Sequence, residues 1–210
     1  MVETAEDTWT MNSELNLYHV QGVQPATTLY LQQSFTYSTK SDWDFAISSQ
    51  NIPFMGGGAQ NYQMDTYAQA AKTLRANGTS VVLGGMYGYQ LYPQPAPVGF
   101  SHQFYWLDAD RSISDEIRIH SGAFYVNSAL STMTAYVGMM TGIKITHDDW
   151  RFQADYFGGH TNVSGATVTL GYFVEDWFQP YLGVIVPERN SGNEFAGVAG
   201  FNISTGDLTQ

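Results

Sequence analysis

Residues 133–157 read MTAYVGMMTGIKITHDDWRFQADYF, and this stretch decides the fold. Taking every second residue from Ala135 gives Ala135, Val137, Met139, Thr141, Ile143 and Ile145. Between them stand Tyr136, Gly138, Met140, Gly142, Lys144 and Thr146. Alternation of period two over such a length predicts a long strand. Asp148 and Asp149 predict a two-residue turn, after which Trp150, Phe152, Ala154 and Tyr156 alternate with Arg151, Gln153 and Asp155. A loop of that size sets His147 opposite Trp150, Ile145 opposite Phe152 and Lys144 opposite Gln153. Both apolar sets then share one face of the hairpin, while Lys144, Arg151 and Asp155 share the other.

Composition extends this reading to the whole chain of 210 residues. Aromatic residues make up 15 % and charged residues only 13 %, a balance that suits long strands rather than helices. The formal charge of -11, with 8 Lys and Arg, argues against a nucleic-acid partner. There is no cysteine, which excludes disulfides and thiolate metal ligands. No run of about 18 apolar residues offers a membrane helix. A barrel needs none, because each of its strands meets lipid only at alternate positions. The opening VETAEDT lacks the basic region and apolar core of a signal peptide, so an exported form would be a mature chain.

The same alternation recurs along the sequence. Trp9, Met11, Leu15 and Leu17 alternate with Thr10, Asn12, Glu14 and Asn16; Leu29, Leu31, Phe35 and Tyr37 follow, then Trp43, Phe45 and Ile47 against Asp44, Ala46 and Ser48. Residues 62–74 continue the pattern, although AQAAKTLR has helical propensity. Strands at 81–92, 100–107, 117–127, 168–174, 178–186 and 195–203 complete the series. Residues 178–186 are apolar on both parities, so their faces stay unassigned. The count is about twelve strands of roughly nine to fourteen residues; soluble strands average about five or six, whereas a tilted membrane strand needs about 9–11. Short turns at Lys40, Asn77, Asp148 and Asp176 alternate with longer connections at Gly56, Pro93, Gly159 and Arg189. Two connections break the rule: 128–132 reads short on the long side, and DADRSIS reads long on the short side. Residues 1–7 are expected as a flexible segment, 8–204 as one barrel domain and 205–210 as a tail.

Charge sorting separates a membrane barrel from a soluble β-sandwich, whose strands also alternate. In the frame above, Glu14, Asp44, Asp65, Arg118, Lys144, Arg151 and Asp155 all face inward. Placing Lys or Arg against lipid costs about 2–4 kcal/mol at mid-bilayer, so this sorting is informative. Lys72 is the exception, near a strand end where its stem can snorkel. The five Trp, at 9, 43, 106, 150 and 177, all fall near expected strand ends, where interfacial girdles lie. The expected fold is therefore all-β: a closed, antiparallel, up-and-down transmembrane barrel.

At this level the chain resembles bacterial outer-membrane β-barrel proteins of the roughly twelve-strand porin type. The resemblance covers nearly the whole chain and rests on patterning, not on a diagnostic motif. Such barrels finish on an aromatic residue in the last strand; Phe201 and Ile203 approximate this, with GDLTQ trailing. The resemblance implies an outer-membrane location, a surrounding bilayer with lipopolysaccharide, small polar solutes as cargo and no cofactor. It leaves open a homo-oligomer or lattice.

Functional expectations centre on the lumen. Arg118, Lys144 and Arg151 fall on three successive strands, and Glu14, Asp44 and Asp65 on the opposing part of the barrel. A basic wall facing an acidic wall would filter solutes by charge. The alternative is a salt-bridged plug, to which Asp155 contributes by neutralising the basic wall. An inward aromatic set of Tyr18, Tyr30, Tyr67, Tyr105, Tyr136 and Phe157 would either form a stacking slide or fill space. No catalytic set is expected: Ser101 and His102 are adjacent on one strand and point to opposite faces. No metal site is expected either, since His147, Asp148 and Asp149 on a turn cannot all converge. The leading expectation is a passive channel for small hydrophilic solutes. Its rival is a plugged structural barrel that assembles with itself or with partner proteins.

Overall fold

The computed structural model describes residues 7–20, 27–53, 62–76, 79–92, 98–127, 136–161, 164–189, 191 and 194–206. The strands are β1 (Thr8–Val20), β2 (Thr27–Ser38), β3 (Trp43–Pro53), β4 (Tyr62–Ala76), β5 (Thr79–Tyr92) and β6 (Val98–Ser112). They continue as β7 (Ile117–Val126), β8 (Val137–His147), β9 (Trp150–Phe157), β10 (Gly165–Tyr172), β11 (Phe178–Pro187) and β12 (Ala196–Ser204). Each strand pairs antiparallel with its sequence neighbours, and β1 pairs with β12, so the sheet closes into a twelve-strand up-and-down barrel. No helix among the described residues is long and apolar enough to cross a membrane.

The deciding hairpin has the expected register: His147 opposes Trp150, Ile145 opposes Phe152 and Lys144 opposes Gln153. Asp148 takes the left-handed conformation, φ 49, that two-residue hairpin turns require. One of the two connections that broke the alternation of loop lengths is corrected. Strand β6 runs on through the DADRS of DADRSIS to Ser112, leaving the tight turn 113–116, which the amide of Ile113 closes on the carbonyl of Ile117 at 2.8 Å. The other, 128–132, lies outside the described residues; β7 ends at Val126 and β8 begins at Val137. Short turns therefore gather at one end of the barrel and long connections at the other.

Strand β4 is extended despite its helix-favouring composition, because it pairs along its length with both β3 and β5. Neighbouring ladders override local propensity there. Register also assigns β11, where Gln179, Tyr181, Gly183 and Ile185 share the inward parity and Leu182, Val184 and Val186 are exposed outside. Asp7 accepts hydrogen bonds from the backbone of Lys40 at 2.8 Å and the hydroxyl of Tyr37 at 2.9 Å. Thr205, likewise, is tied to Met11 through both backbone and side chain, while 1–6 and 207–210 lie outside the described residues.

The outer surface is apolar. Ile47, Leu83, Leu107, Val137, Leu170 and Leu182 stand exposed on it. Trp9, Trp43, Trp150 and Trp177 are exposed at the short-turn end, with Trp9 4.6 Å from Tyr37 and Trp150 5.0 Å from Tyr172. Lys72 is outward, as expected, and its Nζ turns to the carbonyl of Ser41 and sits 5.7 Å from the Trp43 ring. Trp106 departs from expectation: it points inward, and Tyr105 points outward to pair with Tyr125 at 6.2 Å. The inward Trp106 is accommodated by Gly84 on β5, where an added Cβ would lie 2.1 Å from the indole.

Inside, the long-connection half of the β6–β9 wall is sealed by side chains. Phe124, Val126 and Met140 are buried, with Phe104, Trp106 and Phe157 packed on them. Phe104 and Phe124 stack at 5.4 Å, and Phe124 meets Phe157 at 5.6 Å. Gly138, opposite Phe124, leaves the space that the ring occupies. A twelve-stranded barrel lies between the roughly eight strands that side chains fill and the 16–18 that leave a wide channel, so such partial filling is expected.

A charged lumen as the candidate functional site

Below the aromatic layer, toward the short turns, the same wall becomes charged. Inward alternation on β6 continues from Phe104 and Trp106 to Asp108 and Asp110. Arg118 on β7 binds Asp110 through Nη2 at 2.7 Å and Nε at 3.2 Å, a two-pronged contact to one oxygen. His120 lies between two carboxylates, with Nδ1 3.1 Å from Asp108 Oδ2 and Nε2 2.8 Å from Asp155 Oδ1. Asp155 also accepts from Gln153 Nε2 at 2.7 Å. Charge-assisted bonds of this kind are about twice as strong as neutral ones and hold the side chains against the wall.

Two cavities border this network. One, of about 250 Å³, is lined by Asp110, Arg118, His120, Lys144, Arg151 and Asp155, among others. The other, of about 280 Å³, lies between Arg151, Gln153 and Asp155 on one side and Glu14, Gln179 and Tyr181 on the other. Arg151, Gln153 and Asp155 line both. Across the second cavity, Glu14 accepts hydrogen bonds from Asn16 Nδ2 at 2.6 Å and from the Tyr181 hydroxyl. Tyr181 also reaches Asn16, tying β11 to β1 across β12. The guanidinium of Arg151 sits 4.5 Å from the Phe173 ring.

The structure brings Arg118, Lys144 and Arg151 to one cavity, with Arg118 and Lys144 directly paired in register. Glu14 and Asp155 share the second cavity with Arg151. Asp44 lines neither of these two cavities. Asp44 stands at the short-turn end of β3 opposite Ala71, whereas Asp65 opposes Gln50, six positions along β3, and its side chain lies outside the described residues. Of the expected inward aromatics, Phe157 joins the aromatic layer, and Tyr136 contacts the outward Tyr125 at 6.4 Å. Tyr67 shares the inward parity of β4; the side chains of Tyr18 and Tyr30 lie outside the described residues. Sequence reasoning missed Asp108, Asp110, Gln179 and Tyr181 as luminal groups. For the first two the signal was present: carrying the alternation of β6 through DADRS places both aspartates inward. The turn at His147 is occupied by pairing, Nδ1 lying 2.7 Å from Glu116.

No protein-family model matches the chain, and no curated protein matches it by sequence. Solved structures do resemble it. A KdgM porin aligns with a TM-score of 0.61 at 12 % identity, covering 92 % of this chain and 98 % of that one. The KdgM porin in complex with disordered oligogalacturonate aligns with a TM-score of 0.59 at 13 % identity over the same shares. At such identities the likeness is one of fold: the chain shares the closed-barrel architecture of these structures.

Proposed function

We propose that this chain sits in a bacterial outer membrane and passes small hydrophilic solutes passively through its charged lumen. One observation supports this above others: the closed barrel is apolar outside, yet its interior holds two polar cavities with a common lining. Such segregation stabilises a barrel in hydrocarbon and gives water a path through it. The fold likeness to porins agrees. In this reading Arg118, Lys144 and Arg151 form the basic side of the filter, while Glu14 and Asp155 form the acidic side. Asp44 and Asp65 act as outlying charges along the lumen.

Reconstitution in planar bilayers tests the proposal. Steady single-channel conductance is expected, and Lys144→Glu should shift ion selectivity toward cations. Unchanged selectivity would remove Lys144 from the filter. The buried layer around Phe124 and the Arg118–Asp110 pair favour a second reading, a plugged barrel with a structural role in assemblies of itself or partners. A plugged barrel would show no steady conductance.

A further inference from the structure

Resting on the channel reading, we propose that the cavity between Gln179 and Arg151 is a binding subsite for a neutral polyhydroxylated solute of one sugar ring. Its volume of about 280 Å³ lies at the lower edge of the roughly 300–1,000 Å³ typical of ligand pockets, which suits a single ring. The cavity presents several neutral hydrogen-bonding groups, among them Thr167, Thr169, Gln153, Gln179 and Asn202. Ile185 and Val198 give it an apolar patch.

Gln179 supplies the pointed observation. It is only 4 % exposed, yet its Nε2 has no hydrogen-bond partner among the described residues. A buried unpaired amide costs about 1–3 kcal/mol, so a position that keeps one calls for an explanation. Gly171 on β10 provides the berth: an added Cβ would lie 2.7 Å from that same nitrogen, so the amide lies across the glycine. Gly171 pairs with Arg151 on its other flank, and Gln179 and Arg151 line the same cavity.

The charge balance selects the class of solute. Glu14 and Asp155 face the cavity against Arg151 alone, two carboxylates to one cation. An anionic ring would meet a net negative lining, whereas hydroxyl groups donate to the carboxylates and accept from Gln179 and Arg151.

The test uses the full chain in detergent micelles and in planar bilayers, with glucose as the probe and glucuronate as its anionic counterpart. Folding of each variant is checked by the gel-mobility change on boiling. Glucose should bind in saturation-transfer NMR and interrupt the current, and glucuronate should bind more weakly. Gln179→Leu should weaken glucose binding about fivefold, the worth of one hydrogen bond. Thr169→Val provides the same reading if Gln179→Leu does not fold. Glucose binding that neither variant changes, or a preference for glucuronate, overturns the subsite. Conductance without glucose binding also overturns it while leaving the channel in place. Glucose binding that depends on Gln179, in a barrel that does not conduct, overturns the channel and supports the subsite.

Discussion

His120 Nε2 lies 2.8 Å from Asp155 Oδ1, although β7 and β9 are not neighbours and β8 runs between them. Gly142 of β8 stands opposite both residues, and a Cβ there would fall 2.2 Å from the imidazole and 2.3 Å from the carboxylate. The bond passes over the intervening strand only because that position has no side chain. Gly142→Val should therefore separate the pair and destabilise the barrel by about 1–3 kcal/mol, the usual cost of overpacking. Urea unfolding in lipid vesicles measures it, with Gly197→Val as control, since a Cβ at Gly197 meets nothing within 4 Å.

A second glycine makes room for a luminal ring. Because Trp106 lies flat against Gly84, Gly84→Val should push the indole toward the barrel axis and lower single-channel conductance. Adding Trp106→Ala to Gly84→Val should restore the conductance, because the obstruction is the displaced ring. If conductance is unchanged in the single variant, the Trp106 level does not limit flow.

The apolar exterior makes a prediction of parity. Leu182 is 66 % exposed on the outer face of β11. Leu182→Arg should cost about 2–4 kcal/mol in a bilayer, the depth-dependent penalty of a lipid-facing cation. Gly183, its neighbour in sequence, faces the lumen, and so does Thr169, which opposes it in register. Thr169→Arg should therefore cost much less in the same unfolding assay.

The long-connection end is clasped by a carboxylate. Glu188 Oε2 accepts from the amides of Gly159 at 3.1 Å and His160 at 2.9 Å, while Oε1 accepts from the Tyr156 hydroxyl at 3.1 Å. Burial pushes the Glu188 carboxyl up, but the His160 amide, the Tyr156 hydroxyl, the His160 charge and Ser164 together hold it below its ordinary value of 4.5. A carboxyl lowered in the folded state contributes stability that is complete above that value and is lost as pH falls beneath it. Protease nicking of 158–164 should accordingly rise below about pH 4.5, and Glu188→Gln should show the raised rate already at pH 7.

The hairpin from Val137 to Phe157 was legible in full because its two parities differ so sharply: Ile143, Ile145 and Phe152 against Lys144, Arg151 and Asp155. Register there follows from the turn alone. Strand β6 was misread where its inward positions change chemistry midway, from Phe104 and Trp106 to Asp108 and Asp110. A strand that lines an aromatic layer and then a charged one has no constant polar face, so the rule that oily means outward fails at Trp106. The partners of His120 were hidden for another reason. Its bond to Asp155 skips a strand, and local pattern reports only adjacent ladders. Gln179 and Tyr181 sit in a segment apolar on both parities, and only pairing with β10 and β12 orients them.

The uneven sharing of indoles between the two rims has a mechanical consequence. Trp9, Trp43, Trp150 and Trp177 crowd the short-turn rim, while phenols such as Tyr89, Tyr125 and Tyr156 stand nearer the opposite one. Indoles and phenols both seat at the headgroup boundary, so in a bilayer each rim would be held through its own kind of ring. A change in bilayer thickness would then be met by deformation of the surrounding lipid or by tilt, rather than by either rim leaving its leaflet.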